Sequence, residues 1–366
     1  MVFLFYISIF LFSLGQLGRI TLNDSQINFY FYEVFLILCL IGFFVKYKIK
    51  PLLEFLKRER IIKYFFVWLL ISFLVRISNY SLNQNIISGL YLLRLLFYPI
   101  FFIYLKKASI KIKYFNFVSI LIIISSFIQY FFYPDLRNLI YQGWDPHLNR
   151  MFGLFFDTSI AASIYSILFL FFLRKKNYLF SVLFLTCVVL TFSRSAYLVL
   201  FLTLIITYAF SKNLKNIFIF ATIFLFVFVI APKNFGKGVE LSRIFTVNSR
   251  ISDYKAAFSA SMKSPIVGYG YNRIQFIKSA QPTTINSYPS HSNSAFSSSY
   301  LTILVTTGII GLGLFLLSLL RLFFVKNAHV DVLLFVSLIS FTDNIILHPF
   351  IIVLLGMTIL LSDRSR

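Results

Sequence analysis

Acidic residues are scarce in this chain: 12 Asp and Glu stand against 34 Lys and Arg in 366 residues, and charged side chains of both signs make up 13%. Soluble domains carry about 25%, so an ordinary water-soluble globule is excluded. No pair of carboxylates is placed to hold a metal ion, and no cofactor is implied. Cysteine is rarer still. Cys39 and Cys187 both stand in apolar runs, which excludes a disulfide framework. His147, His291, His329 and His348 are scattered without the spacing of metal ligands. Met1 to Phe12 lack the basic stretch and small-residue cleavage site of a signal peptide, so they are expected to be retained as a first span. The Gly-containing run Ser264–Asn272 lacks the Lys-Ser/Thr ending of a phosphate loop and reads as a turn. No internal repeat of the kind that builds many transporters is visible.

What remains is largely hydrocarbon. Apolar residues make up 59% of the chain, with 48 Phe and 22 Tyr, in runs that can cross the ~30 Å hydrophobic layer of a bilayer. Twelve spans are expected, at roughly 1–16, 29–45, 62–75, 86–105, 114–132, 153–173, 177–192, 196–210, 217–231, 298–320, 328–341 and 345–361. The expected fold is therefore an all-α polytopic membrane protein, a single membrane domain over 1–366. In a soluble protein the net charge of +22 would suggest nucleic acid. Here it reads as topology, because cytoplasmic loops are enriched in Lys and Arg. Placing Lys46, Lys48, Lys50, Lys57, Arg58, Arg60 and Lys63 inside brings the basic loops at 106–113, 174–176, 212–215 and 321–326, and the tail at 364–366, to the same side. Both termini are expected there, and nucleic acid is not an expected partner.

One stretch on the opposite side departs from that pattern. Residues 232–297, between the ninth and tenth spans, carry Lys233, Lys237, Arg243, Arg250, Lys255, Lys263, Arg273 and Lys278 against Glu240 and Asp253. Positive charge is usually scarce outside the cytoplasm, so a cationic loop there calls for an anionic client. Within it Ser249–Lys263 has helical periodicity, with Ile251, Tyr254, Phe258 and Met262 on one face. That face either lies in the lipid boundary or packs on neighbouring spans; the periodicity leaves both open.

Several residues could carry chemistry. Arg194 stands in a tight turn between two apolar runs, flanked by Ser193 and Ser195. It either ends the helices by snorkelling or presents its planar fork to a phosphate. Arg94 is the sole charge between Ile86 and Tyr104, and a central Arg costs about 2.5–3.5 kcal/mol unless a partner or wet cavity offsets it. Asp157 is a candidate partner. It could equally be a helix-terminal carboxylate held by Arg150, or touch sugar hydroxyls. His291, amid Ser and Asn at the end of the basic loop, is either a surface residue or a base able to take a proton from an attacking hydroxyl.

Four segments resemble a known family. TFSRSA at 191–196 resembles the "SR-small-small" turn of the O-antigen polymerase and ligase superfamily. SRISDYKAAFSASMKSPIVGYGYN at 249–272 resembles the stretch in that family's large periplasmic loop where an Arg and an amphipathic helix precede a Gly-rich turn. SYLTILVTTGIIGLGLFL at 299–316 resembles the following span entry, and MFGLFFDTSIAA at 151–162 is similar to the start of an earlier span. The resemblance implies a membrane glycosyltransferase of GT-C-like fold, with its active site at the periplasmic face of the bacterial inner membrane. Its substrates would be undecaprenyl-pyrophosphate-linked glycans, donor and acceptor, held in contact with membrane lipid, with a chain-length regulator protein as a further candidate partner. On this reading Arg194 and Arg250 hold the pyrophosphate and His291 is catalytic, while Arg94, Arg150, Asp157, Arg243 and Arg273 are candidates for binding substrate. The family places a His-Asn pair almost directly before the span, whereas His291 precedes Ser299 by eight residues. A polymerase is the leading expectation, with a ligase of the same fold and a lipid-linked oligosaccharide flippase as alternatives.

Overall fold

The computed structural model describes residues 1–22, 26–108, 111–142, 144, 147–210, scattered positions between 221 and 229, 245–279, 294–324 and 329–362. Most of the expected ninth span lies outside the described residues, as do Arg243 and His291. Helices occupy the other eleven expected intervals: α1 (Val2–Phe12), α2 (Phe31–Tyr47), α4 (Arg60–Val75), α5 (Leu82–Leu105), α6 (Ile112–Phe132), α7 (Thr158–Arg174), α8 (Tyr178–Leu190), α9 (Arg194–Phe210), α12 (Ser299–Phe323), α13 (Val330–Ile339) and α14 (Pro349–Ser362). By length and composition α5, α6 and α12 can each cross a membrane, and α1, α7, α8, α9, α13 and α14 are shorter apolar helices. The basic loop contributes α10 (Phe245–Lys263) and the short α11 (Ile274–Ser279).

Two elements go beyond the expected spans. An antiparallel hairpin pairs Arg19–Leu22 (β1) with Ile27–Tyr30 (β2), Arg19 opposite Tyr30. It is a small exception to an otherwise helical chain, and α5 fixes it: Tyr91 Oη accepts from the Asn28 amide at 3.0 Å and donates to the Gln26 carbonyl at 3.1 Å. The second is α3 (Lys50–Arg58), a basic helix with Pro51 in its first turn, where a missing N–H costs nothing.

Exposure is arranged for lipid. On α6 the residues Phe117, Ile120, Ile124, Ile128 and Phe131 recur at helical spacing and are all exposed, while Ser119, Ser126 and Gln129 are buried. A soluble helix would reverse that arrangement. Two of the buried hydroxyls of α6 are satisfied within the helix, Ser119 donating to the Phe115 carbonyl and Ser126 to that of Ile122. The centre is α7, whose residues from Ile160 to Leu173 are buried without a break against α8, α13 and α14.

A break in α12 organises the basic-loop end. Gly308 has φ 69° and ψ −174°, open to Gly and strained for other residues. The carbonyls around it are claimed from outside the helix. Tyr269 N donates to Val305 O at 3.0 Å and Gly270 N to Thr306 O at 2.8 Å. Trp68 Nε1 reaches Thr307 O at 2.8 Å, and Ser72 Oγ reaches Thr306 O at 2.9 Å. In return Ile309 N donates to Pro265 O at 2.8 Å. The turn at 264–270 is thus the plug for an interrupted helix, which is why it is built on glycine. A Cβ on Gly308 would stand 2.0 Å from the Ile266 carbonyl oxygen, and one on Gly268 would stand 2.4 Å from the Thr306 carbonyl carbon.

Gly308→Ala should therefore destabilise the protein by on the order of 3 kcal/mol or more, from backbone strain and collision together. Gly313→Ala, in the same helix with nothing within 4 Å of the added carbon, should be neutral or better. Thermal unfolding of the two purified variants in one detergent checks this; equal midpoints would remove the plug from the account.

Candidate functional site

The helices have two chemically different ends. At one, Arg174 meets Asp331 at 3.3 Å, Lys175 donates to Leu361 O at 3.3 Å, and Arg321 meets Glu59 at 2.9 Å. These are the loops expected to share the cytoplasmic side. The other end gathers the hairpin, the described parts of 133–157, the α8–α9 turn, the described part of the basic loop and the α13–α14 connection at 340–348.

Arg194 is the first residue of α9 and is partly buried. A helix start offers N–H groups with no partner inside the helix and the positive end of the macrodipole. Arg194 adds a guanidinium to that helix start. The turn before it is tightly specified. Phe192 is left-handed at φ 51°, Tyr197 N returns to Ser193 O at 3.0 Å, and the Ser193 and Ser195 hydroxyls lie 3.4 Å apart. Arg150 secures this turn from beneath: buried, it donates through Nε to Thr191 O at 2.8 Å and through Nη2 to Phe192 O at 3.3 Å. Asp157 caps α7, its Oδ1 accepting from the Ser159 and Ile160 amides at 2.6 and 3.0 Å. Asp157 is thus a helix-terminal carboxylate, as one of its expected readings had it.

Arg250 lies on α10 and donates through Nη2 to Asp343 Oδ1 at 2.7 Å. The arginine side chain is 35% exposed and its partner 10%, so the pair has an open flank. Tyr254, one turn on, donates to Phe341 O at 2.7 Å. Ser299, which opens α12, ties into the same connection, accepting from Ile345 N at 2.9 Å. α9 runs beside α13; the Arg174 end of α7 meets Asp331 at the start of α13, and Met151, before the other end of α7, bonds Leu190 O beside the α8–α9 turn at 2.9 Å, so Arg194 and Arg250 come to one end of the molecule. The expected amphipathic face divides: Tyr254 is half-buried and the other three residues are exposed. α10 packs on the protein through Ala257 and Ala260, small enough for close approach, and leaves Ile251, Phe258 and Met262 exposed.

Arg94 pairs with Glu33, not with the expected Asp157: its Nε donates to Glu33 Oε1 at 2.6 Å and its Nη1 to Asn28 O at 3.1 Å. Glu33 also accepts from Tyr98 Oη and from the Tyr30 amide, the latter at 2.8 Å. The guanidinium stands 5.2 Å from the Tyr30 ring centroid. Its enclosed Nη2 has no hydrogen-bond partner among the described residues. The α13–α14 connection closes on this cluster, with Phe350 4.7 Å from Tyr30 and His348 5.3 Å from Phe350.

Arg273 is turned into the protein. It is 0% exposed, lies between the rings of Phe73 and Tyr80 at 4.4 and 4.5 Å, and donates to Asn85 Oδ1 at 2.6 Å and to Phe73 O at 3.2 Å. Burial pulls its pKa below the ordinary arginine value, with Tyr80 opposing. Arg76 does similar work, donating to Gly268 O at 3.0 Å and Ser264 Oγ at 2.5 Å. Glu33, Asp343, His348 and Arg76 were not picked out from sequence. The two carboxylates were findable, since each interrupts or joins apolar runs as Arg94 does.

A buried ion pair that loses one member leaves an uncompensated charge, which costs about 3–5 kcal/mol. Glu33→Gln should lower the unfolding midpoint sharply, while Arg94→Met combined with Glu33→Leu should recover most of the loss. A double variant no more stable than Glu33→Gln would show that the residues act separately.

Residues 179–316 match the O-antigen ligase family (Wzy_C). The matched stretch contains Arg194, Arg250 and Arg273, the basic loop and the broken α12. No curated protein matches the chain.

Proposed function

We propose, from the O-antigen ligase family domain that residues 179–316 carry, that this membrane protein is an O-antigen polymerase. It joins undecaprenyl-pyrophosphate-linked repeat units at the periplasmic face of the bacterial inner membrane. The observation that carries the reading is that the family segment brings two arginines to one end of the helices, Arg194 at the start of α9 and Arg250 beside the 340–348 connection. A single lipid-linked pyrophosphate is the kind of client such an arrangement suits.

In the proposed reaction a hydroxyl of the incoming lipid-linked repeat attacks the anomeric carbon of the growing chain. The new glycosidic C–O bond forms as the bond from that carbon to the pyrophosphate oxygen breaks, and undecaprenyl pyrophosphate leaves. The hydroxyl proton passes to a base, for which His291 is the candidate. Charge grows on the departing pyrophosphate, and fixed guanidinium donors stabilise it best where water is scarce. Arginines supply that charge without a metal. Asp343 holds Arg250 in register and Arg150 holds the turn that presents Arg194. Arg94 has one nitrogen uncommitted and Arg243 belongs to the same basic loop; both are proposed to steer phosphate or sugar. Arg273, enclosed between two rings, acts by anchoring the loop.

The second reading is the ligase, which transfers finished polymer to the lipid A core. The matched family's own description favours it. A clean deletion strain separates the two. Lipopolysaccharide with core plus a single repeat supports the polymerase, whereas core with no O-chain and polymer left on the lipid carrier supports the ligase. Unchanged lipopolysaccharide would reject both.

Arg194→Lys keeps the charge and the ability to snorkel but cannot present a planar two-donor fork. Loss of one preorganised donor to a developing anion costs about 2.7–4 kcal/mol, roughly 10²–10³ in rate. The expected outcome is normal protein level with chains collapsed to a single repeat. Full-length chains from the Lys variant at native level would refute the phosphate role.

A further inference from the structure

The end of the molecule opposite Arg194 and Arg250 carries a cavity that the polymerase reading does not use. The helix α3 lies across the ends of α4 and α5. Tyr104 Oη donates to the Lys48 carbonyl at 2.6 Å, and Lys107 faces Glu54 at 3.8 Å. Between α3 and the start of α4 opens a cavity of about 500 Å³, lined by Leu53, Leu56, Lys57, Arg60 and Lys63. The lining is of two kinds, an apolar wall from one helix and three cations around it.

Among the described residues no carboxylate is left over for these cations. Glu54 is engaged by Lys107. Glu59, buried between the two helices, is bound by Arg58 and Arg321, each at 2.9 Å. Among the described residues Lys57, Arg60 and Lys63 have no carboxylate partner. Three like charges around one cavity repel, and Lys46, Lys48 and Lys50, from the end of α2 to the start of α3, add to the field. An anion in the cavity offsets that repulsion. Leu53 is 47% exposed beside it, and Ile61 on the first turn of α4 is exposed as well, so the site presents hydrocarbon next to charge. A free inorganic anion has no use for the leucines. A phospholipid has use for both.

We propose that this cavity binds an anionic phospholipid, with its phosphate among Lys57, Arg60 and Lys63 and its acyl chains against Leu53, Leu56 and Ile61. Basic pockets between spans at the cytoplasmic side suit such headgroups, and each nearby cation strengthens attraction to an anionic leaflet about fivefold. The site is independent of the reaction proposed at the other end. It makes α3 a lipid-anchored brace across α4 and α5.

The test is titration of phosphatidylglycerol and of phosphatidylcholine into the full-length protein in detergent, read by native mass spectrometry as lipid-bound fraction. The wild type should retain phosphatidylglycerol in preference to phosphatidylcholine. The triple variant Lys57→Gln, Arg60→Gln, Lys63→Gln should lose that preference. A charge-matched variant, Lys111→Gln, Lys113→Gln, Lys176→Gln, should bind as the wild type does. The proposal is overturned by equal retention of the two lipids, by undiminished binding in the first variant, or by an equal loss in the second. Should the triple variant not fold, Leu53→Asp, which places an acid in the cavity and leaves the cations intact, must lower retention of phosphatidylglycerol on its own.

Discussion

In a bilayer the carbonyls that Gly308 frees from α12 have no water to turn to, and each left unsatisfied costs several kcal/mol. Their partners therefore dictate where the rest of that end must lie. The amides of Tyr269 and Gly270 take two of them, and Trp68 and Ser72 on α4 hold the same stretch from the other side. Once that turn is seated, α10 before it and Arg273 after it have little freedom. Arg250 meets Asp343, and Arg273 enters the slot between Phe73 and Tyr80. A strained glycine in a span thus sets the register of a loop tens of residues away in sequence.

Arginine is plentiful here, yet most of it is engaged with the protein itself. Arg150, Arg76 and Arg273 direct their forks at backbone carbonyls or a side-chain amide, and Arg94 is bound to Glu33. Carbonyl oxygens at helix ends are good partners for a cation that must be buried, since they carry the negative end of the macrodipole. Counting the positive charges of residues 232–297 consequently overstates what a ligand could meet. Among the described arginines of that loop, Arg250 keeps an exposed flank and Arg273 keeps none.

The helices were legible because hydrocarbon runs need only be counted, and one stands in every described interval where a span was expected, three of them long and apolar enough to cross a membrane. The short amphipathic α3 and the 19–30 hairpin escaped because neither is long enough to leave a periodic signature. Arg94 could be recognised as a charge needing an offset, but its partner could not be chosen: Glu33 and Asp157 look alike in sequence, and only the fold sets Glu33 beside Tyr30 and Tyr98. The same holds for the loop arginines. Linear spacing says nothing of which way a guanidinium faces, so only the resemblance, and not the spacing, set Arg250 apart from Arg273. The Gly-containing run read correctly as a turn, but its task required knowing that Gly308 breaks the helix opposite.

The outward stripe of α10, Val247, Ile251, Phe258 and Met262, leaves that helix wetted by hydrocarbon along one edge, with Arg250 on the same rod. On the function proposed above, a lipid-borne client would meet Arg250 by sliding within one leaflet, and encounters would scale with its number per unit area of membrane. Crowding of the leaflet, more than the volume of the compartment beside it, would govern how often the arginine is visited.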